Sequence, residues 1–343
     1  MKKLFTLLWL AFLFSIPLWM KDLYFLHILI STGIFTIAAM SLNLLLGYTG
    51  QLSLGHVAFF GIGAYTSALV SLGFDLELTD TYTFVFGPKP VWVAFICGIV
   101  IAGLFGWIIG RLAFKVRGAY FVIVTISFAE VIRLISLNWI DLTEGPMALN
   151  NIQPFTLGIP GIWEDTFYQK IPNYYIVLVV AIICYIVIRR LVQSRAGRAM
   201  IGLRENEPLA SSIGVDVTKY LVLATIASAA MAGAAGGLYT HYIRIVDPDI
   251  FLFIYTVTMV IMVISGGKGT LAGPVVGGIL FGILPEVLRE FTSPEAQWMI
   301  YGAFMIIVVF FLPKGIVPAL QSWWKHRNTD VDNKTGGTAV GKV

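Results

Sequence analysis

Polar residues interrupt this chain in clusters, and between the clusters lie runs, such as Tyr174 to Ile188, that are apolar on every side. A strand of a membrane barrel alternates residue by residue, so these runs do not fit one. Lipid forces each backbone donor and acceptor to be satisfied within its own segment, and the runs therefore predict spanning α-helices. At about 20 residues per crossing, the pattern places ten spans near 4–20, 23–46, 52–72, 91–110, 119–138, 173–190, 219–239, 250–265, 271–288 and 296–312. The fold class expected is all-α, a polytopic transmembrane domain over 1–320 with a longer loop at 191–218. The polar segment 321–343 has no apolar period and is expected to be a disordered tail, with Trp323 and Trp324 beside Lys325 as an interfacial anchor.

Composition sharpens this reading. Hydrophobic residues make up 58% of the chain and charged ones 12%, against roughly 45–50% and about 25% in soluble domains. Cys97 and Cys184 lie inside apolar runs, in no metal-like spacing. Lys2-Lys3 and the apolar stretch to Trp19 resemble a signal peptide, but no small-x-small cleavage site precedes Lys21, so a retained first helix is expected. With the N-terminus inside, the cytoplasmic loops collect Arg111, Lys115, Arg117, Arg189, Arg190, Arg195, Arg198, Arg204, Lys219, Lys268 and Lys314. The opposite loops collect Asp75, Glu77, Asp80, Asp141, Glu144, Glu164, Asp165, Asp247 and Asp249. This bias in basic residues predicts both termini in the cytoplasm.

Small residues recur at helical spacing as Gly269, Gly273 and Gly277, as Gly61, Ala64 and Ala68, and as Ser228, Ala232 and Gly236. Such faces let helix backbones approach closely, and they also suit a solute path or a sister subunit. Gly47 to Leu52 and Gly266 to Leu271 share a G-x-x-G-x-L spacing between consecutive spans. Two tight turns account for it, as does an internal repeat with broken helices. No phosphate-binding loop occurs, so the chain is expected to bind no cofactor, to hold no metal and to lack an ATPase site of its own.

The loop at 191–218 carries the clearest functional signal. Asn206 is placed to cap a helix whose first turn holds Glu207 and Pro208, the acid suited to the dipole and the proline tolerated early. Gly214 is a natural terminator. Leu209 and Ile213 then share one face of a helix too short to persist alone. It either rests on the membrane or its own bundle, or is a knob offered to a partner.

Three motifs in order resemble the branched-chain amino acid importer permeases of the LivM type: Ser41 to Tyr65, Gly202 to Val215 and Ser265 to Gly277. The likeness runs to about Pro318. It implies the permease fold of an ATP-binding cassette importer, and it makes the segment of Arg204, Glu205, Asn206, Glu207, Pro208, Leu209, Ile213 and Gly214 the coupling helix that docks into an ATPase. Pro208 departs from the small residue usual there. The resemblance further implies a second homologous permease, two ATP-binding subunits that use ATP and Mg, and an extracytoplasmic solute-binding protein. The solute implied is leucine, isoleucine or valine, with other amino acids, urea or small amides as alternatives.

Polar residues at membrane depth are functional candidates because they are costly there. Glu130 and Arg133 are spaced to pair on one helix face, as a structural pair or as part of a gate. Asn43, Gln51, His56 and Tyr65 are candidates for a zwitterion's path, or for satisfying turns and neighbouring helices. His241 and Arg244 fall at an outer helix end and are expected to snorkel. An ion-driven carrier would need a coupling site, and Glu130 is the one deep carboxylate the pattern offers. A membrane enzyme would need a catalytic motif, and neither H-E-x-x-H nor G-x-S-x-G occurs. Nothing in the chain suggests nucleic acid as a partner.

Overall fold

The computed structural model describes residues 13–17, 19, 22–79, 82–116, 118–159, 163–166, 169–289 and 293–323. The span expected over 4–20 lies outside the described residues except for 13–17 and 19, which are helical. Asp22 caps α1 (Leu23–Asn43) by accepting from the Tyr24 N–H at 2.8 Å, and α1 runs on as a π-helix over Leu44–Thr49. An extended stretch, 50–56, leads into α2 (Val57–Leu72). The strands β1 (Phe74–Thr79) and β2 (Tyr82–Phe86) form an antiparallel hairpin before α3 (Val91–Ala113) and α4 (Ala119–Asn138). A second hairpin, β3 (Thr156–Ile159) with β4 (Trp163–Thr166), precedes α5 (Lys170–Gln193).

Two short helices follow, α6 (Arg195–Glu205) and α7 (Glu207–Ser212), and then the long α8 (Val217–Ile243). A 3-10 turn over Pro248–Phe251 leads to α9 (Phe253–Gly266), α10 (Gly273–Arg289) and α11 (Pro294–Phe311). Residues 316–323 are helical too, so helix crosses the boundary expected at 320. Among the described residues five helices are long and apolar enough to cross a membrane: α1 with its π-helical end, α3, α4, α5 and α8. The alternation of these helices puts both hairpins at one end of the bundle and α6–α7 at the other. Trp92, at the start of α3, donates to the Thr156 carbonyl of β3 at 2.6 Å and joins the hairpin regions.

The small-residue faces work as packing surfaces. α8 lies against α2 and α3, with Gly63 on the Gly233 backbone and Gly236 on the Phe60 carbonyl. Gly278 and Gly282 of α10 accept Thr36 and Thr32 of α1. Association of this kind suits a lipid solvent, where apolar area alone does not drive helices together. Ile96, Val100, Ile123, Ile183 and Ile186 stay exposed on the outer faces of α3, α4 and α5, as lipid-facing positions do.

Candidate functional site

The loop at 191–218 folds as its residues dictate. The Leu209 N–H donates to Asn206 Oδ1 at 3.0 Å, and Glu207 and Pro208 occupy the first turn of α7. Gly214, at φ +88°, ends it, and the Val215 N–H returns to the Ala210 carbonyl at 3.1 Å. Ala210 and Leu203 are buried with Leu221, which anchors the pair of helices to α8. Leu209 is 61% exposed and Ile213 75%. The bundle therefore leaves the apolar face of α7 uncovered.

Arg204 turns the other way. Its guanidinium donates from Nη1 to the Gly47 carbonyl at 2.7 Å and also pairs with Glu205. Gly50 lies along its stem, and Gly269 lies against the guanidinium and the Gly47 carbonyl. The two G-x-x-G-x-L segments thus meet in space with Arg204 between them. Asn43 stitches them on the far side: its Oδ1 accepts from the Gly269 N–H and its Nδ2 donates to the Thr270 carbonyl, both at 2.9 Å. A Cβ on Gly47 would overlap both Asn43 and the Gly269 backbone, which is why glycine stands there.

Of the four path candidates, Asn43 is therefore built into this joint. His56 is fully buried and bonds Ser41 Oγ through Nε2 at 2.8 Å, beside the break that precedes α2. That break is held by two threonines: the Leu54 N–H donates to Thr125 Oγ1 of α4 at 3.3 Å, and the Val57 N–H donates to Thr256 Oγ1 of α9 at 3.1 Å. Gln51 is half-buried beyond the π-helix, its N–H bonded to the Leu45 carbonyl at 3.2 Å. Tyr65 stacks on Phe251 with centroids 5.6 Å apart. Among the described residues no hydrogen bond joins any two of the four.

Glu130 and Arg133 do pair: Nε donates to both carboxylate oxygens at 3.1 and 3.0 Å, and Nη2 to Oε1 at 2.7 Å. The pair lies on the uncovered side of α4, the Glu130 side chain 51% exposed, rather than inside the bundle. His241 does not snorkel. It is 1% exposed, bonded to Ser67 Oγ and to the Gln153 carbonyl, because the end of α8 is covered by the loop that follows α4. Arg244 donates to the Ile152 carbonyl at 3.1 Å, and the two residues line a cavity of 250 Å³ with His27, Lys170 and Tyr242.

Asp247 and Asp249 were legible in the sequence only as acids of a polar loop. The 3-10 turn that carries them tucks in beside α2 and α4, and Phe251 fills the space beside Gly61. The one signal that could have marked this fold-back is the short apolar run available to α9.

Apolar helices long enough to cross a bilayer, together with non-helical backbone buried among them at 50–56 and 267–272, define a polytopic membrane protein of transporter architecture. The chain belongs to the family of branched-chain amino acid transport system permease components, whose model matches residues 24–309. It is similar to the high-affinity branched-chain amino acid transport system permease protein LivM of Escherichia coli, 28% identical over 87% of this chain and 71% of that one. The permease protein LivH of the same organism is 26% identical over 82% of this chain and 91% of its own. A probable LivM of Methanocaldococcus jannaschii is 24% identical over 85% and 92%. No solved structure matches the chain.

Proposed function

We propose that this chain is one permease subunit of an ATP-driven importer that carries leucine, isoleucine and valine across the cytoplasmic membrane, with α6–α7 and both termini in the cytoplasm. The observation that carries this reading is α7: a capped, anchored two-turn helix that holds Leu209 and Ile213 out toward a partner. A helix of that length needs support, and here the support comes from one face while the other is left apolar and bare. Two ATP-binding subunits that use ATP and Mg are the partners it fits, through Glu205 to Gly214. The chain itself supplies no nucleotide site.

The likeness to both LivM and LivH of one organism supports a second homologous permease beside this one. An extracytoplasmic binding protein would deliver the solute to the hairpin end. Orientation follows the bias in basic residues, which collects Arg189, Arg190, Arg195, Arg198 and Arg204 around α6. The test is uptake of labelled leucine by proteoliposomes that hold the chain with its cognate subunits. Uptake is expected to stop when the catalytic glutamates of the ATPases are mutated. Uptake that persists would mean an ion-driven carrier or a channel and would remove the importer reading.

A further inference from the structure

We propose that Tyr65, Asp247, Asp249 and the Glu130–Arg133 pair form a binding site for the zwitterionic head of an α-amino acid, on the face of this subunit that meets the second permease. The inference rests on the importer reading and deepens it by placing solute recognition within the permease itself.

Depth comes first. Phe251 fills the space beside Gly61 and stacks on Tyr65, both in the body of α2. Five residues on, Thr256 already holds the first N–H of α2. The 3-10 turn therefore lies alongside α2 rather than beyond its end, and Asp247 and Asp249 are held there with their side chains exposed. Asp247 heads that turn without a capping bond. Arg133 of α4 lies within electrostatic reach of Asp249. Charged groups at membrane depth face protein or water rather than hydrocarbon. The face that carries Glu130, Arg133, Asp247 and Asp249 is thus one that lipid does not cover, and a second permease closes it.

A buried hydroxyl points to a ligand independently. Tyr65 is 5% exposed, its Oη has no hydrogen-bond partner among the described residues, and both Asp247 and Asp249 act on it. The chemistry has two poles. Arg133 has five N–H donors, of which Glu130 engages Nε and Nη2, and the donors that remain suit a carboxylate. Asp247 and Asp249 suit an ammonium, and the Tyr65 hydroxyl can bridge either pole. Leu252 and Phe253, both exposed beside the acids, offer an apolar wall to a branched side chain. No three metal-ligating side chains converge among the described residues, so the acids face an organic cation rather than a metal ion.

The test uses the complete importer in proteoliposomes. The double variant Asp247→Asn with Asp249→Asn is expected to lower the leucine carried per ATP hydrolysed by about tenfold, the scale of one charge-assisted hydrogen bond lost. A loss of folded complex leaves that ratio alone, and Asp249→Glu should recover most of it. A wild-type ratio in the double variant would overturn the site. As a second measurement, Asp249→Cys in the same complex should react with a water-borne cationic thiol reagent from outside, and leucine-loaded binding protein should slow the reaction. A thiol that does not react, or that leucine leaves unprotected, would equally overturn it. Wild-type uptake that needs no ATP strikes the importer reading instead, so the two failures are distinguishable.

Discussion

Asn43 closes a seam between residues more than two hundred positions apart. Its amide gives an acceptor to the Gly269 N–H and a donor to the Thr270 carbonyl, and the residue is 1% exposed. Water cannot replace those bonds at such a position, so truncation leaves two backbone groups unmet. Asn43→Ala is expected to cost about 2 kcal/mol or more, measured as a lowered midpoint of thermal unfolding in detergent. An unchanged midpoint would mean that the glycine turns hold each other without the amide. His56 is the useful contrast. The same local pattern that made it a path candidate suits a histidine committed to Ser41, and only the fold distinguishes the two.

At the scale of elements, legibility followed locality. The start, stop and bare face of α7 were readable because Asn206, Pro208, Leu209, Ile213 and Gly214 act within one short segment. The start of α2 was not. Hydropathy places a span from 52, whereas helix begins at Val57, because the intervening residues are held extended by Thr125 and Thr256 from helices far along the chain. The β-hairpins were missed for a related reason: short strands at the ends of long apolar runs carry too little period to stand out. For α7 itself a prediction follows from its one-sided anchoring. Leu209→Ser with Ile213→Ser removes apolar surface that nothing in this chain covers, so the thermal midpoint of the isolated subunit should stay within about 0.5 kcal/mol of wild type. Co-purification of the ATPases should fall sharply. Retained co-purification would place the docking surface elsewhere.

Across the whole molecule, Arg204 is where the polar loop reaches the membrane core. Through the Gly47 carbonyl it touches the end of α1 and the extended stretch that becomes α2; through Gly269 it touches the loop between α9 and α10. Those are the elements that carry Tyr65 at one remove and Asp249 at another, so a displacement of α6 reaches both breaks through a single guanidinium. Close-packed interiors transmit such shifts because they deform little. Arg204→Ala should therefore leave the ATPases bound, since α7 is untouched, yet lower leucine carried per ATP hydrolysed by about tenfold, consistent with the loss of one charge-assisted bond. Arg204→Lys keeps the charge but lacks the planar fork that reaches Gly47 and Glu205 together, and should recover the ratio only in part. A ratio equal to wild type in Arg204→Ala would mean that motion passes from α6 to the bundle through the Leu203, Ala210 and Leu221 packing instead. The joint at Arg204 would then be a brace that steadies the two turns without driving them.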